Sequence, residues 1–416
     1  MLYEINLQKR PLSKKCNYCN VYQTKISLYY LTGTFELEKF YCKQCKRLSF
    51  NTLPVGFGAV YHLSFLDHSG NLEHSPSNNW FTSKLINNYK NRINSPIKVT
   101  VENFKKIKTP IVLNCIDSIY GHCLLKLLNA EFHIDNNNEY ELIIIIPRIL
   151  RWLVPDGVGE IWTYDLKLSQ AALWNEWLAR DVVEKLNSFS KIFISKGPVV
   201  PHPSQFNIEK FTKISPYKFS NWTNRPTVSY IWREDRLWCD TRSLGIKSHL
   251  KIQILKRLLF YDDIKIQNHL VISLFLALKS IFADLTFNVI GIGQSSKFPK
   301  GINDFRKEKI NFSDEKKWCR LYSRSHIVIG IHGSNMLLPS AHSGATISLM
   351  PKNRVNNFFQ DIITSELDPR MACIRNRCVS TSASIDYIAK NIESVINNFP
   401  KFREYFIDNT FLNQRS

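Results

Sequence analysis

The chain of 416 residues carries 55 Lys and Arg against 35 Asp and Glu, a formal charge of +20. That length accommodates roughly two or three domains, and 44% hydrophobic residues with only 15 Gly and 17 Pro excludes a disordered, collagenous or linker-like chain. The excess positive charge points to nucleic acid or an anionic membrane as partner, or else to a Lys-, Ile- and Asn-rich composition that implies no partner.

The N-terminal stretch MLYEINLQKRPLSKKC has no apolar h-region and reads as lacking a signal peptide. The longest apolar run, residues 142–146, is stopped by Pro147 and Arg148 and is too short to cross a bilayer. The expectation is a cytoplasmic protein whose ten cysteines are metal ligands or core residues rather than a disulfide framework.

Residues 1–52 read as a small domain of their own. Its first fifty residues hold nine Lys and Arg against three Asp and Glu. Cys16-x2-Cys19 and Cys42-x2-Cys45 are separated by 22 residues. Each pair sets two thiolates on one tight knuckle, and two knuckles close a tetrahedral site of four sulfurs suited to zinc. Four thiolates leave no open position, so the metal is expected to be structural. The segment between them alternates and contains Thr32-Gly33, which predicts a hairpin. The whole resembles a zinc ribbon. Lys43, Lys46 and Arg47 read as a solvated face or a phosphate contact.

Residues 53–110 read as a polar connector with a few short strands. An α/β rhythm follows over 111–222. VLNCI, ELIIIIP and KIFIS predict buried parallel strands, and 121–130, 170–186 and 205–213 predict helices. A break at 220–226 precedes a second series over 223–416. There TVSYIW, TFNVIGIG, HIVIGI and TISLMP predict strands. Residues 264–282, 334–342 and a closing stretch, 384–399, predict helices. Two α/β units in series suggest two Rossmann-like halves facing a cleft. Cys115, Cys123, Cys239, Cys319, Cys373 and Cys378 read as core thiols.

In HIVIGIHGSNMLLPSAHSGATISLMP, residues 326–351, a buried strand runs into the sharp turn His332-Gly333-Ser334. Gly333 allows close approach. Ser334 is an expected N-cap, and free N–H groups at the helix start would favour an anion. This segment resembles the signature of glycosyltransferase family 61: Gly330-Ile331-His332-Gly333-Ser334, then Pro339, then Gly344-Ala345-Thr346 through Pro351. Asn335 departs from the small residue common there. Arg233 and Arg236 in SYIWREDRLW resemble the Arg element opening the family's second domain. Tyr120-Gly121-His122 resembles the Gly-His pair opening a helix in its first. The resemblance spans residues 116–406.

The resemblance implies a GT-B fold. It implies an inverting glycosyltransferase moving a sugar from a nucleotide-sugar, UDP-linked in expectation, to a hydroxyl of a glycan or lipid-linked acceptor in surface polysaccharide or glycoconjugate synthesis. Arg233, Arg236 and His332, Gly333, Ser334 and Asn335 would hold the diphosphate, with Gly293 lining the donor site. His122 is the expected general base and Asp117 the second candidate. The chain contains no D-x-D pair, so no catalytic metal is expected. A basic surface would permit contact with the inner, anionic face of a membrane. The alternatives are a zinc-ribbon nucleic-acid-binding protein, for which no clustered Arg and aromatic ribbon speaks, and an inactive GT-B-fold binding protein.

Overall fold

The computed structural model describes residues 2–5, 7, 14–16, 19–23, 28–34, 36–59, 65–67, 72–74, 79–197, 207–238, 252–358, 360–364, 366 and 368–411. Cys239 lies outside them. The chain divides into two compact units, Met1–His202 and Pro203–Ser416.

The first unit opens with β1 (Leu2–Ile5), β2 (Lys14–Lys15), β3 (Tyr22–Gln23), β4 (Leu28–Tyr30), β5 (Leu37–Tyr41), β6 (Leu48–Thr52), β7 (Phe65–Asp67) and β8 (Leu72–His74), then α1 (Asn79–Lys90) and β9 (Val99–Asn103). It continues through β10 (Pro110–Asn114), α2 (Tyr120–Asn136), β11 (Glu141–Pro147), β12 (Glu160–Tyr164), α3 (Glu176–Leu186) and β13 (Ile192–Ser195). The expected hairpin is present as β4 and β5, paired antiparallel across a turn in which Gly33 has φ +77°.

Two boundaries differ from the sequence reading. β4 to β8 form one five-stranded antiparallel sheet, so β7 and β8 extend the ribbon rather than connect it to something else. The main sheet runs β1-β13-β10-β11-β12-β9, parallel in its centre and antiparallel at both edges. The edges come from outside the expected 111–222 domain. β1 and β9 are only partly buried, so neither carries the continuous apolar run that marks the buried central strands. The ribbon is not an appendage: Leu31, Leu53 and Val55 lie in the same core as Val112, Ile143, Ile145 and Trp162.

An aromatic knot makes that junction. The buried Trp174 ring sits 4.3 Å from Tyr30, 5.1 Å from Phe50 and 4.9 Å from Tyr89, centroid to centroid. Asn175 donates its backbone N–H to Tyr30 Oη and caps α3 with its side chain. Trp174→Ala is expected to cost about 3–5 kcal/mol. Urea unfolding followed by tryptophan fluorescence would check it.

The second unit contains α4 (Ile208–Thr212), β14 (Thr227–Trp232), α5 (Ile252–Ile281), β15 (Thr286–Gly291), β16 (Ile302–Asp304), α6 (Phe312–Tyr322) and β17 (Ile327–Ile331). α7 (Leu337–His342), β18 (Ala345–Met350), α8 (Pro369–Arg375), β19 (Asn376–Ser380) and α9 (Ile385–Phe411) complete it. Its start corrects the expected break at 220–226. Residues 207–222 belong here, held by Tyr217 N–H to His342 O at 2.7 Å and by Thr212 Oγ1 and His342 Nε2 at 2.9 Å.

All five strand pairings of the second sheet are parallel, in the order β16-β15-β14-β17-β18-β19. Counted within the unit this is 3-2-1-4-5-6, the doubly wound Rossmann order. The order reverses between β14 and β17, and ligands of such sheets bind there, beyond the carboxyl ends of the strands.

One helix bears on the sequence reading of hydropathy. By length and composition the stretch Asp263–Ile281 of α5 is long and apolar enough to cross a membrane. In this fold its Ile264, Val271, Leu274 and Leu278 are buried in the core of the second unit, against β14, β15 and α9.

Candidate functional site

The switch point of the second sheet gathers most of the expected donor residues. β14 ends at Trp232 and delivers Arg233 and Arg236. β17 ends at Ile331 and delivers His332, Gly333 and Asn335. Arg233 Nη1 donates to Asn335 Oδ1 at 2.8 Å, and Arg236 Nη1 donates to His332 O at 2.6 Å. Arg233 also pairs with the exposed Asp235.

Gly333 makes the approach possible. It has φ +155°, and a Cβ there would lie 2.6 Å from Arg236 Nη1 and 2.8 Å from Arg233 Nη1. The turn thus uses its missing side chain to bring two like charges together. Burial first, then Arg233 and Arg354, lower Arg236 to about 10. A site that disfavours its own cations in this way is stabilised by an anion.

Arg354 and Asp361 were not legible in the sequence. They lie beyond β18, the strand beside β17, in a stretch with no motif. The buried His332 has Nε2 3.4 Å from Asp361 Oδ2, and Arg354 Nη2 is 3.7 Å from the same oxygen. Burial lowers the His332 pKa in spite of Asp361, so the ring is neutral at neutral pH. Asn335 Nδ2 and Arg354 Nε are buried with no hydrogen-bond partner among the described residues, and His332 has no full hydrogen bond there beyond its 3.4 Å contact with Asp361. Buried polar groups are nearly always paired, so a cluster of unpaired ones marks a ligand's place.

Two expectations are corrected. Ser334 is not at a cap position: it is the first residue of a 3-10 turn, Ser334–Met336, capped by Gly333, and the helix that follows is capped by Met336. α7 is only six residues long, so no extended helix N-terminus serves an anion here. Gly293 is committed elsewhere. A Cβ there would fall 2.2 Å from Glu234 Cδ, and Ser295 Oγ donates to that carboxylate at 2.7 Å. The Gly291-Ile292-Gly293 turn therefore wraps Glu234 rather than a diphosphate.

In the first unit, Asp117 follows β10 and His122 sits in the first turn of α2, so both lie at the β10–β13 switch point. His122 Nδ1 is 3.3 Å from Asp117 Oδ1, and Lys126 Nζ is 3.4 Å from Asp117 Oδ2. Burial opposes the Asp117 charge, but Lys126 and His122 outweigh it and hold the carboxyl below its usual value. The two alternatives for a base are thus one constellation, a half-buried imidazole oriented by a buried carboxylate. The further acidic residues of that region are occupied: Asp165 pairs with Arg148, and Glu160 accepts from Trp162 Nε1.

The four ribbon cysteines come together. All four Sγ atoms lie within 4.8 Å of one another. Cys16 and Cys45 are 3.6 Å apart, as are Cys19 and Cys42. A tetrahedron with metal–sulfur bonds of about 2.3 Å has edges of about 3.8 Å, so the set fits a metal. The two knuckles repeat one geometry. Cys16 N–H bonds Val21 O at 2.9 Å and Cys42 N–H bonds Arg47 O at 2.8 Å. Asn20 and Lys46, each one residue past the second cysteine, are left-handed at φ +60° and +59°. Burial and then the neighbouring thiols push Cys45 up to about 12, and a central cation would reverse that preference.

Of the cysteines expected in the core, Cys115, Cys123 and Cys319 are buried, whereas Cys373 and Cys378 are exposed.

No family model matches the chain, and no curated protein matches it.

Proposed function

We propose that the protein is an inverting glycosyltransferase of GT-B architecture, using a nucleotide-sugar donor, UDP-linked, and a hydroxyl acceptor. One observation carries this reading. A Rossmann-ordered sheet presents Arg233 and Arg236 at its switch point, with Arg354 brought beside His332 from beyond β18 and the buried Asn335 Nδ2 and Arg354 Nε left without hydrogen-bond partners among the described residues. A diphosphate supplies the missing acceptors, and guanidinium forks match its oxygens. The resemblance of residues 326–351 to glycosyltransferase family 61 supports the same assignment.

In this reading the acceptor oxygen attacks the anomeric carbon as the bond from that carbon to the diphosphate oxygen breaks. His122 takes the acceptor proton, and Asp117 holds the imidazole and stabilises its charged form. The arginines and the neutral His332 take up the charge that develops on the departing nucleoside diphosphate. The ribbon metal is zinc, held by Cys16, Cys19, Cys42 and Cys45 in a structural role. Acceptor class, a cytoplasmic place and contact with an anionic leaflet belong to the same proposal.

A nucleotide-sugar screen by thermal shift is the first test, because ligand bound to the native state raises the midpoint. Binding of UDP should weaken at least about tenfold in His332→Ala. Unchanged titration calorimetry for that variant and for Arg233→Ala would remove the site. Hydrolysis of the bound UDP-sugar distinguishes the enzyme from an inactive binding protein. The nucleic-acid alternative rests on exposed Lys43, Lys46 and Arg47 at the second knuckle, and it requires an affinity that collapses with salt. Elemental analysis of protein prepared without chelator should give one zinc per chain; none would overturn the metal assignment.

A further inference from the structure

The loop joining β4 and β5 lies over the carboxyl ends of β10 and β13. Asn114, the last residue of β10, donates from Nδ2 to Gly33 O at 3.1 Å and ties the loop to the strand end. Beneath it, Glu36, Asn114, Lys126 and Ser195 line one cavity of about 10 Å³, room for roughly one water. Glu36 is buried, and its Oε2 has no hydrogen-bond partner among the described residues. Lys126, buried on α2, reaches Asp117 Oδ2 at 3.4 Å and lines the same small cavity as Glu36. One buried ammonium is therefore shared by two buried carboxylates, one from the ribbon and one from the His122 corner.

We propose that Glu36 is a positioning residue for the His122–Asp117 pair: carried in by the ribbon hairpin, it shares Lys126 with Asp117 and so sets how much Asp117 charge is left to hold the imidazole. The inference rests on the reading of His122 as the base. It gives the four-cysteine ribbon a second task, closing and tuning the corner from which that base works.

The neighbouring ionisable groups do not blur this. Cys115 and Cys123 face the same cluster, but burial holds Cys115 far up and Cys123 up to about 12, so both stay neutral thiols. The charged set is Glu36, Lys126, Asp117 and His122. Burial, against Lys126 and Asn114, raises Glu36 to about 7. Below that pH Glu36 is neutral and Lys126 leans on Asp117 alone. Above it the ammonium is divided and more of Asp117 is available to the imidazolium.

The test is an NMR titration of the full chain labelled at histidine Cε1, without donor or acceptor, with the His122 signal assigned by His122→Gln. Glu36→Gln should lower the pH at which His122 titrates by roughly half a unit. Lys126→Gln should raise it. A structural role for Glu36 alone would not move the two variants in opposite directions. An unchanged His122 midpoint in folded Glu36→Gln protein overturns the proposal. Should the variants fail to fold, the wild type decides: a two-step His122 curve, with a step near the Glu36 titration, supports the coupling, and a single-step curve overturns it. Absence of transferase activity would defeat the functional reading without touching this result.

Discussion

Gly333→Ala is expected to weaken nucleoside diphosphate binding by roughly 100-fold. The change adds one methyl group and removes no charge. Its Cβ would stand 2.6 Å from Arg236 Nη1 and 2.8 Å from Arg233 Nη1, inside the contact distance of both. Each guanidinium is anchored at short range, Arg236 on His332 O and Arg233 on Asn335 Oδ1, so neither can yield without losing that anchor. A φ of +155° adds backbone strain for any residue with a side chain. Each charged hydrogen bond to phosphate contributes about 1.5–3 kcal/mol, and every 1.4 kcal/mol is tenfold, so displacing two gives the estimate. Arg354→Ala should cost less, about tenfold, because the Arg354 side chain is 30% exposed against 13% for Arg233. Calorimetric titration with UDP reads both numbers. Circular dichroism of each variant checks that the second unit remains folded. Equal affinities for wild type and Gly333→Ala would separate the arginine turn from donor binding.

Removing the metal proposed for the four cysteines should destabilise the first unit, not simply release the ribbon. Chelation is expected to lower its thermal midpoint by at least about 10 °C. Structural zinc supplies folding free energy to the segment that binds it. Here that segment places Leu31, Leu53 and Val55 in the core around Val112 and Trp162, and its strands frame the Trp174 knot. Loss of the knuckles therefore exposes apolar surface shared with the central sheet. Cys19→Ser and Cys45→Ser should reproduce the effect without chelator. An unchanged midpoint in chelator, with the metal shown to be gone, would mean that the ribbon folds without it.

Part of this molecule is written locally. Runs such as TVSYIW and TISLMP are apolar throughout because parallel central strands are buried on both faces, and they match β14 and β18 almost to the residue. The paired CxxC spacing fixes two knuckles, because a tight turn between two cysteines is a property of four residues and needs no distant partner. The His332-Gly333 turn was legible for the same reason.

Other features depend on partners far along the chain. Nothing local to Arg354 or Asp361 marks them. They become site residues only because β18 pairs with β17, so that its carboxyl end lies beside His332. Gly293 looks like a ligand-binding glycine in sequence, and only the packing of Glu234 against it shows otherwise. Glu36 reads as one acid in a hairpin until the loop closes over β10 and meets Lys126, ninety residues away. Hydrophobic periodicity records which face of an element is buried, not against what. The sequence alone therefore marked the buried central strands, several of the helices and the cysteine knuckles. Strand order and loop closure, set by the burial of whole sheets, decided which charges meet.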